Sequence, residues 1–162
     1  MLKGFEHVGM TVSNIDKSLN FYVDLLGLKL VVRRKGQDEH GFEFCFLDAG
    51  NAMLEMTGPA TGALLAEDVA AGRAGLRHLT FCFDDVEALY RKLEEAGVEL
   101  VEAPRKAYNS DIMTKVAFCR DPDGILIELG ERRIGHGADD RHRNLPAVVL
   151  VVAREAHEDV VG

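Results

Sequence analysis

The sequence predicts an α+β fold built from two βαβββ modules in tandem. Three observations predict it. A strand-like segment beginning at His7 recurs at His78, 71 residues later. A helix-stopping glycine, Gly27, recurs as Gly97 after 70 residues. A carboxylate set in an apolar strand, Glu55, recurs as Glu128 after 73. Self-similarity at one period is the mark of a repeated structural unit.

The first module spans residues 1–58. His7-Val8-Gly9-Met10-Thr11-Val12 alternates with the period of a strand. Asn14 is a plausible N-cap, and Ile15, Leu19 and Tyr22 then fall on one helical stripe that Gly27 ends. Three extended segments follow, Leu28–Arg34, Phe42–Asp48 and Ala52–Thr57, the last two joined by the turn Ala49-Gly50-Asn51. The linker, residues 59–75, is rich in Gly and Ala, which suits a short helix or a flexible crossover.

The second module spans residues 76–130. His78–Phe83 is its first strand, Asp85 its N-cap, and Val86, Leu89, Tyr90 and Leu93 its helical stripe. Val98–Glu102, Thr114–Arg120 and Ile125–Gly130 complete it, with the turn Asp121-Pro122-Asp123-Gly124 before the last strand. Residues 131–162 belong to neither repeat. They read as a polar C-terminal tail carrying His136, His142 and His157, with one added strand at Val148–Val152.

Composition bounds the function. Of 162 residues, 47% are hydrophobic, enough for a core, and the net charge of −8 argues against nucleic acid or an anionic membrane as partner. A small anionic substrate remains compatible with a local basic patch. Cys45, Cys82 and Cys119 each sit in an apolar run with no CxxC spacing, which predicts buried, reduced thiols and a cytoplasmic setting. No signal peptide is expected, and the longest apolar run, Ala147–Ala153, is too short to span a bilayer.

Strand alternation places His7 with Phe5, Gly9 and Thr11, and His78 with Leu76, Thr80 and Cys82. A carboxylate among Leu, Ile and Met is costly unless paired or metal-bound. Finding one at equivalent positions of both repeats, each with a histidine at the repeat's start, asks for a common cause. His7, Glu55, His78 and Glu128 are therefore the candidate ligands of one divalent metal ion. Two imidazoles and two carboxylates suit Ni, Co, Zn, Mn or Fe, and the sequence does not choose among them. Cys82 has the parity to line the same face.

The quoted motifs, with Phe21-Tyr22, Leu26-Gly27-Leu28, Gly75-Leu76-Arg77-His78 and Ile127-Glu128-Leu129, resemble the vicinal oxygen chelate superfamily over residues 4–130. That superfamily includes glyoxalase I, methylmalonyl-CoA epimerase, extradiol dioxygenases and the fosfomycin and bleomycin resistance proteins. The resemblance implies an open, U-shaped barrel around the metal and a homodimer, often with the site built across subunits. The His/Glu/His/Glu set is similar to that of glyoxalase I, although Thr11 and Pro59 stand where such proteins usually carry Arg and Asn. The Gly72–Leu76 run and Glu43, at the position of a second base, are similar to the epimerases.

The resemblance implies a glyoxalase I-like lyase or isomerase that abstracts a proton beside a carbonyl, converting a hemithioacetal to a 2-hydroxyacyl thioester. Glutathione or another thiol would be the co-substrate. Glu128 is the expected base, Glu55 acts on the opposite face, and Glu43 is the base of an epimerase reading. Lys106, or Arg105 beside it, is the expected grip for a substrate carboxylate. The alternatives are an acyl-CoA epimerase, a drug-binding resistance protein and an extradiol dioxygenase. Eight Phe residues and no Trp, most of the rings on core-facing parities, argue against the drug-binding alternative.

Overall fold

The computed structural model describes residues 1–36, 42–60, 65–70 and 72–132. The first module runs β1 (His7–Thr11), α1 (Ile15–Leu19), β2 (Lys29–Lys35), β3 (Glu43–Asp48) and β4 (Met53–Gly58). The second runs β5 (Leu79–Phe83), α2 (Val86–Glu95), β6 (Leu100–Lys106), β7 (Met113–Arg120) and β8 (Leu126–Arg132). Each module forms its own open four-stranded mixed sheet, ordered β1-β4-β3-β2 and β5-β8-β7-β6. In both, the first strand lies parallel to the last, and the other pairings are antiparallel.

The helix starts are set by side-chain caps. The Asn14 carboxamide oxygen accepts from the Lys17 N–H, and the Asp85 carboxylate from the Ala88 N–H. Gly27 and Gly97 follow the helices at φ of +87° and +73°, a backbone that glycine adopts without strain. The first helix departs from expectation. After one α-helical stretch it widens into a π-helical turn over Asn20–Leu25, with Phe21 and Tyr22 buried. The carbonyls of Asp24 and Leu25, at the end of that turn, accept from Lys92 Nζ of α2 at 2.8 and 2.7 Å. The partner for these carbonyls thus comes from the other module, which no local pattern reveals.

One hydrophobic core serves both modules. Leu47, Leu54 and Met56 enter it from the first sheet, Ile127, Leu129 and Cys119 from the second, and Ile15, Tyr22, Val86 and Leu93 from or beside the helices. Each such side chain contributes about 1.5–3 kcal/mol on burial. Polar bonds cross the same junction. The Tyr22 hydroxyl donates to Asp121 Oδ2 at 2.8 Å, and the Ser13 N–H donates to both oxygens of Asp123 at 3.1 Å. The two sheets therefore share their helix-covered faces, and their other faces lie outside that core.

The described part of the linker contains neither helix nor strand. It is tied to the second module's β7–β8 turn. Arg120 donates to both oxygens of Asp68 at 2.8 and 2.6 Å, and the Ala66 N–H donates to the Asp123 carbonyl. Strand β8 continues to Arg132, two residues beyond the expected end of the second module. Glu131 explains the extension, because its carboxylate accepts from the Val86 N–H at the start of α2. The rest of the C-terminal segment, with its three histidines and the expected strand at Val148–Val152, lies outside the described residues. Among the described residues, no helix is long and apolar enough to cross a membrane.

Candidate metal centre

Register fixes the candidate ligands on the sheets. Gly9 faces Glu55 across β1–β4, and Thr80 faces Glu128 across β5–β8. Leu54 and Met56 alternate into the core, so Glu55 projects from the opposite face; Ile127 and Leu129 do the same for Glu128. His7 Nε2 stands 3.6 Å from Glu55 Oε2, and His78 Nε2 stands 3.2 Å from Glu128 Oε2. The structure brings the four residues together as two His–Glu pairs, one per module. Among the described residues, no three His, Cys, Asp or Glu side chains of one chain gather closely enough to hold an ion.

The pairs carry the same aromatic neighbour. The Phe46 ring meets His7 edge-on at 5.7 Å, and Phe118 meets His78 at 5.9 Å. Phe46 and Phe118 are register partners of Glu55 and Glu128. Phe44 continues the aromatic row in the first module, 6.3 Å from Phe46. This corrects the expectation that most phenylalanines face the core. Phe21 is buried in the core and Phe81 and Phe83 pack against it, while Phe46 and Phe118 meet the histidines of the pairs and Phe44 meets Phe46. The repeat offset would have found them, since Phe46 and Phe118 are 72 residues apart.

The surroundings of the pairs differ. Glu6 bonds His7 Nδ1 and raises the imidazole's pKa above its ordinary 6.5; desolvation opposes the shift, and the charges of Glu6 and Glu55 support it. The Thr80 hydroxyl donates to Glu128 Oε2 at 2.6 Å. Gly9, at the position equivalent to Thr80, offers no side chain. Cys82, expected to be buried, is exposed, because its strand turns it to the His78 side rather than into the core; Cys45 and Cys119 are buried. Burial pushes the Cys119 thiol up to about 12, which leaves it inert.

The basic candidates separate by register. Arg105 faces Val116, whose neighbour across the next ladder is Gly130 on the Glu128 side, and Arg105 feels the Glu128 charge. Glu102 holds Arg105 through two bonds of 2.6 and 3.2 Å, and the guanidinium lies 4.5 Å over the Tyr108 ring. Lys106 faces Lys115, which pairs with Glu87 of α2, so its position in the ladder belongs to the helix-covered side.

The structure does not bring Glu43 to either pair. It shares the parity of Cys45 and Leu47, on the helix-covered face. There it pairs with Arg33 at 2.7 Å and Lys35 at 3.2 Å, while Arg33 also reaches Asp16 in the first turn of α1. Chiefly through its bond from Arg33, the carboxyl is held below its ordinary range.

Residues 4–129 match the model of the Glyoxalase/Bleomycin resistance protein/Dioxygenase superfamily. The chain is 32% identical over 130 residues to a lactoylglutathione lyase of Neisseria meningitidis serogroup A, covering 80% of this chain and 91% of that protein. A solved structure of a glyoxalase family protein from Enterococcus faecalis aligns with a TM-score of 0.61 at 30% identity, covering 80% of this chain and 98% of that one. The trypanothione-dependent glyoxalase I of Leishmania major aligns with a TM-score of 0.62 over 80% of this chain and 87% of its own; at 24% identity it speaks for the fold.

Proposed function

The chain belongs to the Glyoxalase/Bleomycin resistance protein/Dioxygenase superfamily, and from that premise we propose that it is a metal-dependent, glyoxalase I-like lyase whose site is completed between two copies of the chain. The observation that carries the reading is the pair of equivalent half-sites, His7–Glu55 and His78–Glu128. Each pair offers one imidazole nitrogen and one carboxylate. Neither glutamate forms an ion pair with Lys or Arg among the described residues, so no side-chain ammonium or guanidinium there competes with an ion for either carboxylate. Two such pairs from two copies make an N/O set suited to Ni, Co, Zn, Mn or Fe. The modules of one chain meet through their helix-covered faces, which leaves the faces of the pairs to a second copy.

When bound, the divalent ion supplies Lewis acidity that stabilises negative charge on the oxygens of a carbonyl substrate. The chain's own residues do the rest. A carboxylate of the set, Glu128 by resemblance, takes the proton from the carbon beside the carbonyl. Glu55 serves the opposite face. Return of that proton to the former carbonyl carbon, with the hydroxyl proton passing from the hemithioacetal oxygen to the former carbonyl oxygen, turns a hemithioacetal into a 2-hydroxyacyl thioester. Phe46 and Phe118 shield the reacting carbon from water, and Arg105 receives an anionic group of the thiol.

The lactoylglutathione lyase relative favours glutathione as that thiol. The epimerase reading loses support, because its second base, Glu43, is committed to Arg33 and Lys35. The aromatic rows favour one further reading, a protein that sequesters a flat apolar molecule. Turnover separates the two. The metal-reconstituted protein, given methylglyoxal and glutathione, is expected to form thioester, to lose that activity to a chelator, and to lose it in Glu128→Gln. Tight metal binding with no turnover would reject glutathione as the thiol.

A further inference from the structure

We propose, resting on the glyoxalase I-like reading, that Arg34 is a specificity-determining residue that receives a carboxylate or phosphate on the aldehyde-derived arm of the substrate. The face that carries His7 and Glu55 continues beyond them. Across the first sheet one row joins Val32, Phe46, Glu55 and Gly9, and the next joins Arg34, Phe44, Thr57 and Thr11. Register partners share a face, so Arg34 rises beside Phe44 on the side of the His7–Glu55 pair. Its neighbours in sequence turn the other way. Arg33 and Lys35 share the parity of Glu43 and pair with it there. Arg34 is exposed and, among the described residues, has no carboxylate partner. Its backbone stands about 12 Å from that of Glu55 by strand spacing and rise, a gap that the long arginine side chain shortens.

The second module has the matching cation. Arg105 lies 71 residues after Arg34, the offset of the two histidines. It heads the row of Val116, Gly130 and Cys82, next to the row of Glu128. The two arginines differ in what stands beside them. Glu102 binds Arg105 through two bonds, whereas Val32 occupies the equivalent place in the first module. Arg105 thus carries its own counter-charge. Arg34 presents an unpaired charge at the end of the aromatic row Phe44–Phe46 that leads to His7. A guanidinium offers parallel donors that match a carboxylate or phosphate. A hemithioacetal has two arms, one from the thiol and one from the aldehyde. Arg105 serves the thiol arm from the second module, which leaves Arg34 for the aldehyde arm. The preferred 2-oxoaldehyde is then one that bears an acid group.

The test is a calorimetric titration of the full chain, reconstituted with Zn(II), with S-pentylglutathione and S-(4-carboxybutyl)glutathione. These thioethers differ only by a carboxylate at the end of the aldehyde-side arm. The wild-type chain is expected to bind the acid about tenfold more tightly, the lower end of what a hydrogen bond to a charged group contributes. Arg34→Gln should erase that preference. Lys35→Gln, which removes the same charge from the opposite face, should keep it; thermal melts check that both variants fold. No preference in the wild-type chain, or one that survives Arg34→Gln, would overturn the proposal and leave Arg34 a solvated strand end. Equal weakening of both thioethers in Arg34→Gln would overturn the aldehyde-arm assignment and place a glutathione carboxylate on Arg34. Loss of the preference in Lys35→Gln as well would trace it to net charge and overturn the proposal too. A wild-type chain that binds neither thioether would instead remove the glutathione-dependent reading, and this proposal with it.

Discussion

The Tyr22 hydroxyl donates to the buried Asp121 carboxylate at 2.8 Å, joining the first module's helix to the second module's β7–β8 turn. Asp121 also accepts from the N–H groups of Asp123 and Ile125. Tyr22→Phe leaves a buried carboxylate oxygen without its donor and is expected to destabilise the fold by about 1–3 kcal/mol in urea unfolding.

That loss depends on pH. Burial raises the Asp121 pKa above the ordinary 3.8, and the Tyr22 bond opposes the rise. A raised pKa means that the folded state holds the proton more tightly. The associated stability is fully present below 3.8 and is lost as pH rises through the folded value. Without Tyr22 the folded value moves higher still, so the deficit of Tyr22→Phe should widen from acid to neutral pH. A deficit that is constant with pH would contradict this account of the junction.

Glu43→Gln separates the base of the epimerase reading from a structural ion pair. The Glu43 pKa is depressed, chiefly by its bond from Arg33, so its contribution to stability is present above 4.5 and lost as pH falls through the folded value. The variant should melt earlier than wild type at neutral pH, converge with it in acid, and keep its turnover. Loss of turnover in a folded variant would return Glu43 to the chemistry.

Arg105 and Lys106 are neighbours in sequence with different outlooks. Arg105→Leu should raise KM for an anionic thiol substrate about tenfold, the lower end of what a hydrogen bond to a charged group contributes at a partly exposed site. Lys106→Leu should leave KM unchanged. The reverse order would show that the β6–β7 register does not govern substrate binding.

Much of this was legible in the sequence because the repeat is legible. Strand alternation set the faces of His7, Glu55, His78 and Glu128, and the glycines and caps set the helix limits. Local patterns do not encode which module meets which. The contacts of Tyr22 with Asp121, and of Lys92 with the carbonyls of Asp24 and Leu25, join residues far apart in sequence. Separation of the four candidate ligands into two pairs follows from that packing. The aromatic neighbours were readable from the repeat offset, whereas parity alone misassigned them to the core. The Thr80–Glu128 bond needed the register of a parallel pair, which a two-residue shift along either strand would have altered.

Two copies of the chain are proposed to complete each site. Mixing inactive His7→Ala with inactive His78→Ala after subunit exchange tests it most directly. If the first module of one copy faces the second module of the other, half of the randomly reassorted dimers carry one intact site of two, and activity returns to about a quarter of wild type. A mixture that stays as inactive as its components would contradict a shared site.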